Sequence, residues 1–435
     1  MYSIERLTSS QSRIVSGSMQ AYYDNEVPCI SLSRFPTNEN DKFLSDNLLE
    51  ESLIDLQPKS PFPDDCQRKS LGRLTVNTTQ SCNLHCTYCY AEYGLYGKNY
   101  IKSSDDYFKS LALSIVEKYY NIERVQFFGG EPLLQPDRIR IFCEVLSKAA
   151  DLNLLQKRPR FSIVTNGTLL SNSEIIDLIC QWNIAVTVSL DGPRRIVDRL
   201  RPQANGHSAY ADICNGINAL KTYNRHINIE ATYTSVHQEM DCSVLDIIAH
   251  ARDIFGLRSV HVAPATFSPW GDLRPNQESA SQDFFNAALE SVRRVRHQEY
   301  GILSSAYAVL EKLSQSARST AYCPAFTEQL SIDCEGGAYP CFMAMSNRET
   351  RLGNIITDSW PTLQSKSTFD DYLQGMKKGS FGNRHKVWFD SLISACAAAD
   401  LLNFGYYGED SDFKIHEGIV AGTILGVSTF CEDML

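Results

Sequence analysis

From about residue 73 onward, short apolar runs alternate with longer stretches in which apolar positions recur every three or four residues. The short runs have the two-residue period and β-branched content of strands, and predict them at 74–78, 124–128, 160–165, 185–190, 228–234 and 259–263. Between them, "DDYFKSLALSIVEKYY", "DRIRIFCEVLSKAA", "NSEIIDLICQW", "YADICNGINALKTY" and "SVLDIIAHARDIF" carry an apolar stripe at helical spacing. Strand-then-helix units in series build a parallel sheet, because each helix carries the chain back across one face.

Right-handed crossovers curl such a series, so the fold class is α/β, a partial (β/α)6 barrel of TIM-like form with ligand-binding loops at the carboxyl ends of its strands. The texture differs on either side. Residues 1–70 mix short apolar pieces with the Pro- and Asp-rich "LQPKSPFPDDCQRKS" and read as a small N-terminal domain with a linker. The barrel core spans 71–265 and a helical linker 266–318. Residues 319–435 form a C-terminal extension that bears cysteines and is too short and irregular for another barrel unit.

Composition narrows the classes. With 435 residues and 43% hydrophobic content the chain buries a sizeable core, and a formal charge of −10 argues against a nucleic-acid partner. No run of 18 apolar residues and no signal-peptide core occur, which points away from a membrane and toward the cytoplasm. Fourteen cysteines in a reducing compartment indicate metal or redox chemistry more than disulfides.

The chemistry concentrates at strand ends. After the first strand comes "SCNLHCTYC", with Cys82, Cys86 and Cys89 spaced C-x3-C-x2-C. Three thiolates fall one short of a closed zinc site unless His85 completes it. They equally suit a cubane [4Fe–4S] cluster whose fourth iron has no protein ligand. "GGEP" (Gly129, Gly130, Glu131 and Pro132) ends the second strand, its glycines letting backbone pass close to a ligand and Glu131 offering an acceptor for an ammonium. "VTNGT", with Asn166, ends the third, and "SLDGPRRIVDRLR", with Ser189, Asp191, Asp198 and Arg201, ends the fourth.

This set, with the aromatic Tyr88 before the last cysteine, resembles the radical S-adenosylmethionine (SAM) superfamily. The resemblance implies that the amino and carboxylate groups of SAM chelate the open iron, and that one electron cleaves SAM to methionine and a 5′-deoxyadenosyl radical. It further implies that GGEP receives the methionine amino group, that Asn166 faces the ribose or methionine moiety, and that Ser189 and Arg201 hold the carboxylate.

The C-terminal "YCPAFTEQLSIDCEGGAYPC" and the later "LGNI" are similar to the SPASM and twitch extensions of peptide-modifying members. That similarity implies one auxiliary iron–sulfur cluster through Cys323, Cys341, Cys396 and either Cys334 or Cys431; a structural zinc on the same thiols is the alternative. Cys29, Cys66, Cys143, Cys180, Cys214 and Cys242 read as core.

By resemblance, the expected function is radical crosslinking or oxidation of a ribosomally made precursor peptide. Residues 1–70 would bind its leader, and a flavodoxin or ferredoxin would supply electrons. Sulfatase maturation is the rival. That branch carries an aspartate base directly after the cysteine of "YPC", where this chain has Phe342. A non-catalytic iron–sulfur or zinc protein is the third possibility.

Overall fold

Near the amino end, β1 (Tyr2–Arg6), β2 (Gln11–Ser16) and β3 (Met19–Asp24) make an antiparallel meander. It belongs to a computed structural model that describes residues 2–6, 11–16, 19–24, 69–314, 328–358, 396, 398–399, 403 and 412–432.

The core strands are β4 (Lys69–Thr79), β5 (Tyr119–Gly129), β6 (Arg160–Thr165), β7 (Ala185–Ser189), β8 (Ile227–Tyr233) and β9 (Ser259–Pro264), each paired in parallel with the next. Side chains alternate across them. Val76 and Phe127, with Ile163, Val188, Ile229 and Val262, are buried in the main core, and Phe127 meets Phe142 of a covering helix edge to face. Their neighbours along each strand, such as Asn77, Gln126, Ser162, Thr187 and Glu230, are polar and occupy the opposite, concave face.

The helices covering the outer face are α1 (Asp105–Lys118), α2 (Pro136–Asp151), α3 (Ser173–Gln181), α4 (Arg194–Leu200), α5 (Tyr210–Thr222), α6 (Ser235–Glu239) and α7 (Val244–Phe255). Their ends carry local stop and start signals. Ser104 accepts the Tyr107 N–H at 3.2 Å to open α1. Ser243 and Asp246 form a reciprocal box at the start of α7, and Gly256 closes it at φ 65°.

Beyond residue 265 lie α8 (Gln277–Arg296), β10 (Ile302–Leu303), α9 (Ser304–Ser314), β11 (Gln329–Ile332), β12 (Gly337–Tyr339), β13 (Gly353–Asn354) and α10 (Phe413–Glu432). The sheet runs β10-β9-β8-β7-β6-β5-β4-β11-β12-β13. The region after Cys323 therefore contributes a strand to the barrel wall, with β11 parallel to the free edge of β4. Four residues, "QLSI", are too few to carry a period, so this strand was not legible as a barrel element.

Along α10, Gly418, Gly422 and Gly426 face α8. A Cβ at either of the first two would lie 2.3 Å from a carbonyl oxygen, of Ser281 and Phe285 respectively. The glycine row lets the two helices meet backbone to backbone. Every residue of α10 from Gly418 to Val427 is buried, and β3 lies along the helix. Among the described residues no helix is long and apolar enough to cross a membrane.

Candidate active site

The cysteine loop leaves β4 at Thr79 and is pinned to the end of β5 by main-chain bonds, Gly130 N–H to Thr79 O at 3.1 Å and Glu131 N–H to Ser81 O at 2.8 Å. A Cβ on Gly130 would sit 2.2 Å from Ser81 O, and one on Gly94 would sit 2.7 Å from Gly130 Cα. The expected close approach at GGEP is thus, in this structure, to the loop that carries the cysteines. Gly129 turns the chain at φ 139°, which a side chain would oppose.

Each of the three sulfurs receives an N–H. Leu84 N–H points at Cys82 Sγ (3.4 Å), Tyr93 N–H at Cys89 Sγ (3.2 Å), and Arg201 Nη1 at Cys86 Sγ (3.9 Å). Burial pushes the Cys82 thiol up to about 12 and raises Cys86 and Cys89, with the Arg201 charge opposing the rise at Cys86. Held together without a cation, these groups stay thiols; a positively charged inorganic core would bring them in as thiolates. Among the described residues no three His, Cys, Asp or Glu side chains are placed to hold a single metal ion. Three separated, N–H-capped sulfurs match the donor set of an iron–sulfur cluster.

Glu131 is fully buried and already satisfied. Its carboxylate accepts from Thr165 Oγ1 (2.7 Å), Asn166 N–H (2.7 Å) and Leu133 N–H (3.0 Å), and burial lifts it to about 7. It ties the β5 turn to the end of β6. Asn166 donates from Nδ2 to Asn83 Oδ1 at 2.8 Å and faces Cys82 Sγ at 3.9 Å, while Thr168 N–H donates to its Oδ1 at 3.0 Å. So two residues expected to meet SAM directly also brace the cysteine loop.

Asp191, to which sequence reasoning gave no role, is the hub of the opposite side. With zero exposure it accepts from Arg201 Nε (2.7 Å) and Nη2 (3.0 Å), Tyr88 OH (2.7 Å) and Thr232 N–H (2.9 Å). Its carbonyl meets His237 Nε2 at 2.9 Å. Thr234 N–H donates to His237 Nδ1, so Nε2 carries the proton and burial keeps the ring neutral. The signal for Asp191 was its place at a strand end before Gly192, whose φ is 123°. Arg201 therefore presents only its Nη1 side to the mouth, and Tyr88 is anchored by its hydroxyl. Ser189 is half-buried at the carboxyl end of β7.

Of the cysteines expected in an auxiliary site, Cys323 lies outside the described residues, as does the side chain of Cys431. Cys334 is buried in the main core, its thiol donating to Asn77 O at 3.3 Å. Burial raises the Tyr90 and Tyr96 phenols, and the nearby Cys89 and Cys341 add to the rise. Cys396 is half-buried. Phe342 packs on Phe128 with ring centroids 4.5 Å apart. Cys143 and Cys242 are core, Cys180 and Cys214 are half-buried, and Cys29 and Cys66 lie outside the described residues.

Residues 76–251 match the family model of the radical SAM superfamily. A cysteine-type anaerobic sulfatase-maturating enzyme of Clostridium novyi is 32% identical over 364 residues, covering 79% of this chain and 92% of that one. The chain belongs to the radical SAM superfamily. An uncharacterized protein of Methanocaldococcus jannaschii is 33% identical over 168 residues, and there the match spans 38% of this chain and 54% of the relative. Among solved structures, anSMEcpe with bound AdoMet and Cp18Cys peptide superposes at a TM-score of 0.67 with 17% identity, covering 83% of this chain and all (100%) of that one. Streptococcus suis SuiB bound to precursor peptide SuiA gives 0.53 with 12% identity, covering 94% and 99%. These two likenesses establish the radical SAM fold. The protein is an enzyme, and its cofactors are a [4Fe–4S] cluster and SAM.

Proposed function

We propose that this radical SAM enzyme modifies a ribosomally synthesised precursor peptide, forming an intrapeptide carbon–carbon or thioether crosslink. The observation that carries this over sulfatase maturation is Phe342. An apolar ring packed on Phe128 stands where the resemblance expects a carboxylate base, and it can take no proton. Formylglycine formation remains the second reading, favoured by the Clostridium novyi relative along most of its length.

In the proposed site Cys82, Cys86 and Cys89 hold the cluster, and the cluster and SAM together supply hydrogen-atom abstraction. Gly129, Gly130 and Glu131 seat the cysteine loop against β5. Ser189 and the Nη1 side of Arg201 meet the SAM carboxylate, Tyr88 lines the site, and Asn166 fixes the wall beside Cys82. Cys323, Cys341, Cys396 and one of Cys334 or Cys431 would hold the auxiliary cluster. The meander of β1 to β3 belongs to the segment expected to bind the leader by adding a strand. A flavodoxin- or ferredoxin-type donor and a cytoplasmic setting complete the reading.

The test is anaerobic reconstitution with SAM and a reductant, offering a co-expressed precursor and a cysteine-containing sulfatase peptide in parallel. Mass spectrometry should find a precursor lighter by two hydrogens, and Cys86→Ala should abolish the change. An aldehyde on the sulfatase peptide with an untouched precursor would decide for the rival.

A further inference from the structure

Strand register places two more chemically active side chains in the mouth. Val188 pairs with Thr165 on one side and Ile229 on the other, so the next layer toward the carboxyl ends contains Asn166, Ser189 and Glu230. Glu230 in turn pairs with His261 of β9. Because registered neighbours in a parallel sheet point to the same side, and Ile229, Ala231, Val260 and Val262 are buried in the core, Glu230 and His261 face the concave side with Ser189. The first four strands thus contribute the motifs that seat the cofactors, while the fifth and sixth contribute a carboxylate and an imidazole that no motif announced.

Glu230 is half-buried, and among the described residues no hydrogen bond or ion pair holds its carboxylate. Its charge reaches the hydroxyl of Tyr90, next in sequence to Cys89, and that hydroxyl is itself buried with no hydrogen-bond partner among the described residues. His261 is exposed, so this side of the mouth opens to solvent, and its Nδ1 meets Ser304 Oγ at 3.1 Å. A partly desolvated carboxylate without a partner is costly unless a donor arrives with the ligand.

We propose that Glu230, with His261 beside it, forms the substrate side of the mouth and takes a cationic side chain, lysine or arginine, of the peptide. This deepens the peptide reading and rests on it. A formal charge of −10 favours the approach of a basic segment.

The test uses the reconstituted holoenzyme and short cysteine-containing peptides that carry Lys, Leu or Glu at successive positions around the cysteine. Peptide-dependent 5′-deoxyadenosine formation is the readout. The wild type should prefer the lysine peptides at one position. Glu230→Gln should raise KM for them about tenfold, the worth of one charge-assisted contact, with Kd for SAM within twofold, and Glu230→Lys should reverse the preference toward glutamate. A lysine preference that survives Glu230→Gln overturns the proposal while leaving the peptide reading intact. So does a tenfold loss of SAM affinity with peptide preference unchanged, which would assign Glu230 to the cosubstrate. Failure of every peptide to raise 5′-deoxyadenosine above the peptide-free level would sink the peptide reading and the subsite together.

Discussion

Arg201 grips Asp191 through two parallel hydrogen bonds, Nε to Oδ2 at 2.7 Å and Nη2 to Oδ1 at 3.0 Å, and the two side chains are 7% and 0% exposed. The pair is charge-balanced in a dry place, with the guanidinium carbon 5.3 Å from the centre of the Tyr88 ring. Removing one member strands the other.

Arg201→Met should destabilise the apoprotein by about 3–5 kcal/mol, the usual cost of breaking a buried pair. Asp191→Ala should cost more, because it strips partners from Arg201, Tyr88 and the Thr232 N–H at once. Anaerobic urea unfolding measures both. The reverse order would show that Asp191 is not the hub.

Gly130→Ala should lower iron incorporation severalfold while secondary structure by circular dichroism stays close to wild type. The added methyl would meet Ser81 O at 2.2 Å, so the loop bearing the cysteines must move away from β5. Normal iron content after reconstitution would refute this account of the glycine.

His237 predicts a pH dependence. Its pKa is lowered in the folded protein by burial, so between that value and the ordinary imidazole range near 6.5 the unfolded chain binds the extra proton. Stability is therefore fully present above about 6.5 and declines as pH falls below it. The charges facing the ring are Asp191, Arg195 and Arg201. His237→Gln should flatten the decline in an anaerobic melting-temperature series between about pH 5 and 7; an unchanged slope would place the titration elsewhere.

Much of this arrangement was readable before the fold was known, for reasons of period and punctuation. β6 matched its expected span to the residue, because polar "KRP" before it and "NG" after it bound a clean alternation. β4 and β5 run several residues longer at their amino ends than expected, where Ser70, Asn121 and Glu123 interrupt the apolar run yet bond to one another. The cysteines, GGEP and Asn166 follow strand ends, as the motif order implied, while Arg201 reaches the site from the carboxyl end of α4. Asp191, His237 and β11 were not legible as functional elements, since each takes its meaning from a partner far away in sequence, and Glu230 takes its place from strand register with Ser189 and His261.

Gly422→Ala should lower stability by about 1–3 kcal/mol through overpacking, although alanine is the better helix former. The new Cβ would stand 2.3 Å from Phe285 O. Thermal unfolding checks it, and a stabilised variant would mean that α8 and α10 can separate freely.

The same helix pair bears on biosynthesis. Tyr2 stacks on Phe285 of α8 with centroids 4.4 Å apart, and β3 lies along α10. The meander thus docks on helices that lie far later in the chain, so on the ribosome β1 to β3 stay partly uncovered until residues 413–432 have emerged. Peptide that engages the meander during that interval would meet a surface unlike the one the finished enzyme presents.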